Sequence, residues 1–90
     1  MRRYGPGEAR LTVTEGRRLL VRFTATSPAI FDDLRASFRA HFPQHGTAYY
    51  DAQRRCWSLP LSQRRRLDDW IGSMFEPAAY DEDQAADRSA

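Results

Sequence analysis

The sequence predicts a single small α+β domain of ββα-ββα order: a four-stranded antiparallel sheet with two helices on one face. Three observations carry that expectation. Apolar and polar residues alternate over 11–14 and 19–23, the two-residue period of a strand with one buried face. Apolar residues recur at three- and four-residue intervals over 30–42 and 67–75, the period of an amphipathic helix. Ser27-Pro28, Pro43, Pro60 and Pro77 punctuate the boundaries between these stretches.

The first residues, with two Gly and one Pro before residue 8, read as a flexible arm over 1–9. In the first hairpin a three-residue turn, Glu15-Gly16-Arg17, pairs Val13 with Leu19 and Leu11 with Val21. That register puts Leu11, Val13, Leu19, Val21 and Phe23 on one face, which a two-residue turn would not do. Ser27 caps the first helix and Pro28 takes its first position, where the missing N–H is harmless. Ile30, Phe31, Leu34, Phe38 and Phe42 form its apolar stripe, and Asp32 and Asp33 lie near its positive end. Pro43 stops it and His45-Gly46 turns the chain. A second hairpin joins Thr47–Asp51 to Cys56–Leu59 through Ala52-Gln53-Arg54-Arg55. With Tyr50 opposite Trp57, the residues Ala48, Tyr50, Trp57 and Leu59 face inward, while Tyr49, Asp51, Cys56 and Ser58 face outward. Ser62 is placed to cap the second helix, whose inward positions are Leu67, Trp70, Ile71, Met74 and Phe75. The domain proper is expected over 10–76, followed by a disordered acidic tail over 77–90. The halves echo each other: Arg17-Arg18 against Arg54-Arg55, and Phe31-Asp32-Asp33-Leu34 against Leu67-Asp68-Asp69-Trp70.

Size and composition exclude several function classes. Ninety residues hold one core. No apolar run approaches the roughly 20 residues of a membrane span, and the basic start lacks the apolar stretch of a signal peptide. A cytoplasmic location is expected, in keeping with a single cysteine, Cys56. All 14 basic residues are Arg. Residues 1–75 carry 13 Arg against 7 acids, a net of +6, and residues 76–90 carry one Arg against 5 acids, a net of −4. GC-rich coding explains Arg in place of Lys; it does not explain the segregation. A basic body points to a polyanionic partner, nucleic acid first and DNA favoured.

Three clusters are candidates for that contact. On the sheet face away from the helices, Arg18, Arg22 and Tyr49 stand with Thr12, Thr14, Leu20, Thr24, Asp51, Cys56 and Ser58. Guanidinium groups there suit phosphates and the tyrosine ring suits a base. Arg64, Arg65 and Arg66 open the second helix, where cations oppose the helix dipole unless an anion sits among them or Asp68 and Asp69 neutralise them. Arg17, Arg18, Arg54 and Arg55 occupy the hairpin tips. Trp57, Trp70, Phe23, Phe31 and Phe38 belong to the core. No catalytic residues, cofactor or metal site are expected: His41 and His45 lack a third ligand, Cys56 lacks a base, and no glycine-rich phosphate loop is present.

The run Tyr50-Asp51-Ala52-Gln53-Arg54-Arg55-Cys56-Trp57-Ser58-Leu59-Pro60, between a helix ending in an aromatic residue and an amphipathic one, resembles the HARP domain. That family is the DNA-binding module found beside the motor of SNF2-class annealing helicases. The resemblance spans Val21 to Phe75. The chain departs from the family in having Arg39 and His41 where lysine is usual near the end of the first helix, and Arg throughout where the family is lysine-rich. The resemblance implies binding to single-stranded or branched, fork-like DNA. Ninety residues hold no motor, so translocation and ATP-driven annealing are not expected of this polypeptide. The function expected is therefore non-enzymatic nucleic-acid binding, alone or as accessory to a helicase or recombination enzyme. The alternative is a protein–protein interaction module or a small homodimerising domain.

Overall fold

The computed structural model describes residues 3–43 and 48–83. The expected His45-Gly46 turn, the Thr47 strand start and the end of the acidic tail lie outside these. The elements run β1 (Ala9–Glu15), β2 (Leu19–Ala25), α1 (Pro28–His41), β3 (Tyr49–Asp51), β4 (Cys56–Leu59), α2 (Arg64–Met74) and β5 (Tyr80–Asp83). They form a small α+β domain with two helices and a five-stranded mixed sheet of order β3-β4-β2-β1-β5.

The fifth strand corrects the four-stranded antiparallel expectation. Residues 77–79 make a short 3-10 turn that buries Ala79, and β5 then pairs parallel to β1, with Tyr80 opposite Leu11 and Glu82 opposite Val13. Of residues 80–83 only Tyr80 offers the core an apolar surface, so the strand has no period to read. Besides this ladder, side chains tie it to distant arginines: Arg10 lies 3.7 Å from the Asp81 carboxylate, and Arg64 binds Tyr80 and Glu82.

The N-terminal segment is also held more firmly than an arm. Tyr4 forms a bridge with Phe75, its N–H donating to the Met74 carbonyl and its carbonyl accepting from Glu76, both at 2.8 Å. Its hydroxyl donates to the Asp33 carboxylate.

The turn of the first hairpin lies one residue later than expected. Glu15 lies opposite Leu19 and Val13 opposite Val21, so the turn is Gly16-Arg17-Arg18. A two-residue change of register preserves facing, and all five apolar residues stay on the core side. The second hairpin has Tyr50 opposite Trp57, as the pattern requires, around the turn 52–55. Asp51 closes that turn through its carboxylate, which accepts from the N–H groups of Gln53 (3.0 Å) and Arg54 (3.2 Å).

Ser27 caps α1, its hydroxyl oxygen accepting from Ile30 N–H at 3.2 Å. Asp32 and Asp33 fall in the second turn, since Pro28 begins the helix and its first turn holds no acid. Ser62 does not cap α2; a 3-10 turn, Leu61–Gln63, leads in and no side chain caps the first turn. Both helices pack on the same sheet face around one aromatic cluster. Phe38 lies 4.9 Å from Trp57 and 5.2 Å from Trp70, ring centre to centre, and Trp70 donates its indole N–H to Ser37 at 3.0 Å. Phe31 and Tyr50, both expected to face inward, sit instead at the rim, 37% and 47% exposed. Among the described residues no helix is long and apolar enough to cross a membrane.

Candidate nucleic-acid interface

The sheet face opposite the helices is shaped by even-numbered residues of β1 and β2 and by the outward residues of the second hairpin. Two shallow adjoining depressions occupy it. One is lined by Thr12, Thr14, Leu20, Arg22, Gln53, Arg54 and Cys56; the other by Arg17, Arg18, Tyr49, Asp51 and Ser58 with Thr14, Leu20 and Arg54 between them. The structure thus brings together Arg17, Arg18, Arg22, Arg54 and Tyr49. Among the described residues Asp51 is the sole carboxylate lining either depression, and it is engaged in closing the turn and by Arg54, 3.8 Å away.

The arginines are positioned by the sheet. Arg18 donates through Nε to the Ser58 hydroxyl at 2.6 Å and lies over the Tyr49 ring, 5.2 Å from its centre. Arg22 donates to the Arg54 carbonyl at 2.6 Å, tying β2 to the second turn. Arg17 has no hydrogen-bond or ion-pair partner among the described residues and is exposed at the first turn. Tyr49 remains 54% exposed, its ring backed by a cation.

Cys56 and Ser58, expected on the open face, do line the depressions but are buried beneath these side chains. Burial pushes the Cys56 thiol upward, with Asp51 adding to the effect and Arg22 and Arg54 opposing it. A thiol so held is a poor nucleophile.

The three arginines of α2 divide. Arg64 is a structural hub: Nη1 bonds Glu15 at 3.2 Å, Nε bonds Asp68 at 3.2 Å, and Nη2 donates to the Tyr80 hydroxyl at 3.1 Å and to the Glu82 carboxylate. Burial alone would disfavour its charge, but the Glu82 bond and the surrounding acids outweigh that and hold it protonated. With three carboxylates around it, Arg64 is not free for a phosphate. Arg65 and Arg66 are exposed and line a separate depression on the helical side with His41, Ser62, Gln63 and Asp69. They do not join the sheet-face cluster.

Arg55 lies at the rim, in the second turn, with a left-handed backbone (φ 54°) that favours glycine. There it meets residues that the sequence pattern assigned to the core. Tyr50, 47% exposed, and Phe31 border a depression with Arg22, Arg54 and Arg55, and a second one with Arg35, Arg39 and Trp57. The Arg39 guanidinium lies 5.9 Å from the Trp57 ring centre. The adjacent residues Tyr49 and Tyr50 therefore expose aromatic rings on opposite sides of one edge strand. The available signal was Tyr49-Tyr50 itself: a period of two must send one ring to each face. Comparison with family models, with curated proteins and with solved structures found no match to this chain.

Proposed function

We propose that the protein is a non-enzymatic module that binds nucleic acid through the sheet face opposite its helices, with DNA of single-stranded or fork-like character as the favoured ligand. The observation that carries this is the charge of the lining: among the described residues four arginines, Arg17, Arg18, Arg22 and Arg54, stand against one carboxylate already committed to a turn. An exposed tyrosine stands among them. Guanidinium groups on a shallow face hold phosphates without demanding a sequence, and the ring takes a base. The HARP-like run from Tyr50 to Pro60 favours DNA, and service beside a helicase or recombination enzyme.

Docking of a protein strand is the weaker reading. The β3 edge is only three residues long and the β5 edge is acidic, two features that discourage edge-to-edge pairing. Fluorescence anisotropy with labelled single-stranded, duplex and forked DNA at two salt concentrations tests the proposal. Binding that tightens as salt falls, and prefers the single-stranded or forked ligand, is the expected result. No salt-sensitive binding to any of the three at about micromolar protein overturns it.

A further inference from the structure

The depressions of the sheet face do not end at the second hairpin. Arg22, Gln53 and Arg54 line both the sheet-face hollow and the rim hollow, and Phe31 and Tyr50 line both the rim hollow and the one they share with Arg35, Arg39 and Trp57. The surface is thus continuous around the β3–β4 turn, from Tyr49 on one face to Tyr50 and Phe31 on the other. Tyr50 is braced edge-on by Trp57, ring centres 5.2 Å apart, and Phe31 rests against Phe23 at 5.6 Å. Both are exposed large apolar groups, each packed against a core ring and bordered by cations.

At the crossing stands Arg55. A side chain other than glycine is strained in the left-handed backbone region. Arg55 has no ion-pair or hydrogen-bond partner among the described residues that would offset this strain. The turn sets that backbone, and it places an unpaired cation at the bend between two exposed aromatic platforms, where a ligand passing from one to the other would meet it.

Resting on the nucleic-acid reading, we infer that one single strand wraps the edge of the sheet, stacking bases on Tyr49 and on the Phe31–Tyr50 platform, with Arg55 holding a phosphate where the strand turns. A duplex is too stiff to follow that bend and keeps its bases stacked on one another, so the belt selects single strands.

The test uses the whole chain and a labelled oligothymidylate of about twelve nucleotides, within the range of known single-strand sites. Tyr49→Leu and the pair Phe31→Leu with Tyr50→Leu keep apolar bulk while removing the stacking faces. Each should weaken binding roughly five- to a hundredfold. Loss confined to one of the two variants overturns the belt and leaves a single-face site standing. No binding by the unsubstituted protein overturns both the belt and the proposed function. Arg55→Gly supplies a variant with no risk to folding: it should raise the thermal midpoint and still weaken oligonucleotide binding. Unchanged affinity in that variant overturns the role of Arg55 and with it the wrapped path.

Discussion

Arg64, Arg65 and Arg66 share a helical turn and a charge but not a role. Arg64 joins α2 to the end of β1 and to β5, its side chain 28% exposed, whereas its two neighbours are exposed and unpaired among the described residues. Arg64→Ala should lower stability by about 1–2 kcal/mol, between the values for exposed and buried ion pairs. Arg65→Ala and Arg66→Ala should leave stability unchanged or raise it slightly, since each removes a cation from the positive end of a helix. Urea unfolding of the three variants checks this, and equal losses would contradict it. A combined substitution of all three would mix a folding defect with any binding effect. Tyr80 reports on the same hub. Burial and the bond to Glu82 raise its pKa from 10 to about 12, with Arg64 opposing. The folded state therefore retains the proton more tightly than the unfolded chain. The stability that the neutral hydroxyl contributes is fully present below pH 10 and is lost as pH rises toward 12. The stability difference between the unsubstituted protein and Tyr80→Phe should shrink across that window in denaturant titrations; a constant difference would count against the hub.

At the scale of elements, β5 decides how the C-terminal residues must be treated. Ending the chain at Glu76 removes the buried Ala79, the ladder along β1 and two of the partners of Arg64. Stability should fall by on the order of 2–4 kcal/mol, from ladder hydrogen bonds of about 0.5–1.5 kcal/mol each. The bared β1 edge should also promote self-association. Calorimetry with light scattering reads both effects, and an unchanged midpoint would mean that β5 contributes nothing to the fold. The same element marks the limit of what the sequence made legible. The faces of β1, β2, β4 and both helices follow from periodicity because their inward residues are apolar. Tyr80-Asp81-Glu82-Asp83 has no such pattern, and the partners that hold it, the β1 edge with Arg10 and Arg64, lie far off in the chain. Periodicity also assigns a side chain to a face without fixing its depth. Tyr50 and Phe31 point to the helical side as expected, but β3 lies at the edge of the sheet, so they form a rim instead of a core. Half of the extended surface was hidden for that reason, while the Arg18, Arg22 and Tyr49 face could be read from alternation alone.

Across the whole molecule, the sheet order turns a segregation in sequence into one in space. A net charge of +2 is the sum of a basic body and an acidic C-terminal stretch, and the order β3-β4-β2-β1-β5 puts part of that stretch at the edge opposite the second hairpin. Two strand spacings of about 4.8 Å separate β5 from β2, which carries Arg22, and three separate it from β4, about 10 and 14 Å. Both exceed the Debye length of about 8 Å at physiological ionic strength, so the acids of β5 scarcely weaken the arginine face there. Asp81 is in addition paired with Arg10. Affinity should therefore follow the local arginines instead of the net charge. The four sheet-face arginines and Arg55 make five phosphate contacts, which predict a slope of log K against log salt of about −3.5 for a single strand, at roughly −0.7 per contact. Arg54→Ala should flatten that slope by about 0.7, and Asp81→Asn should leave it unaltered. Arg65→Ala, on the helical side, should not change it either. Equal flattening by Arg54→Ala and Arg65→Ala would mean that a diffuse basic surface, not the sheet face, holds the strand. A slope near zero would mean that phosphates are not what the arginines bind.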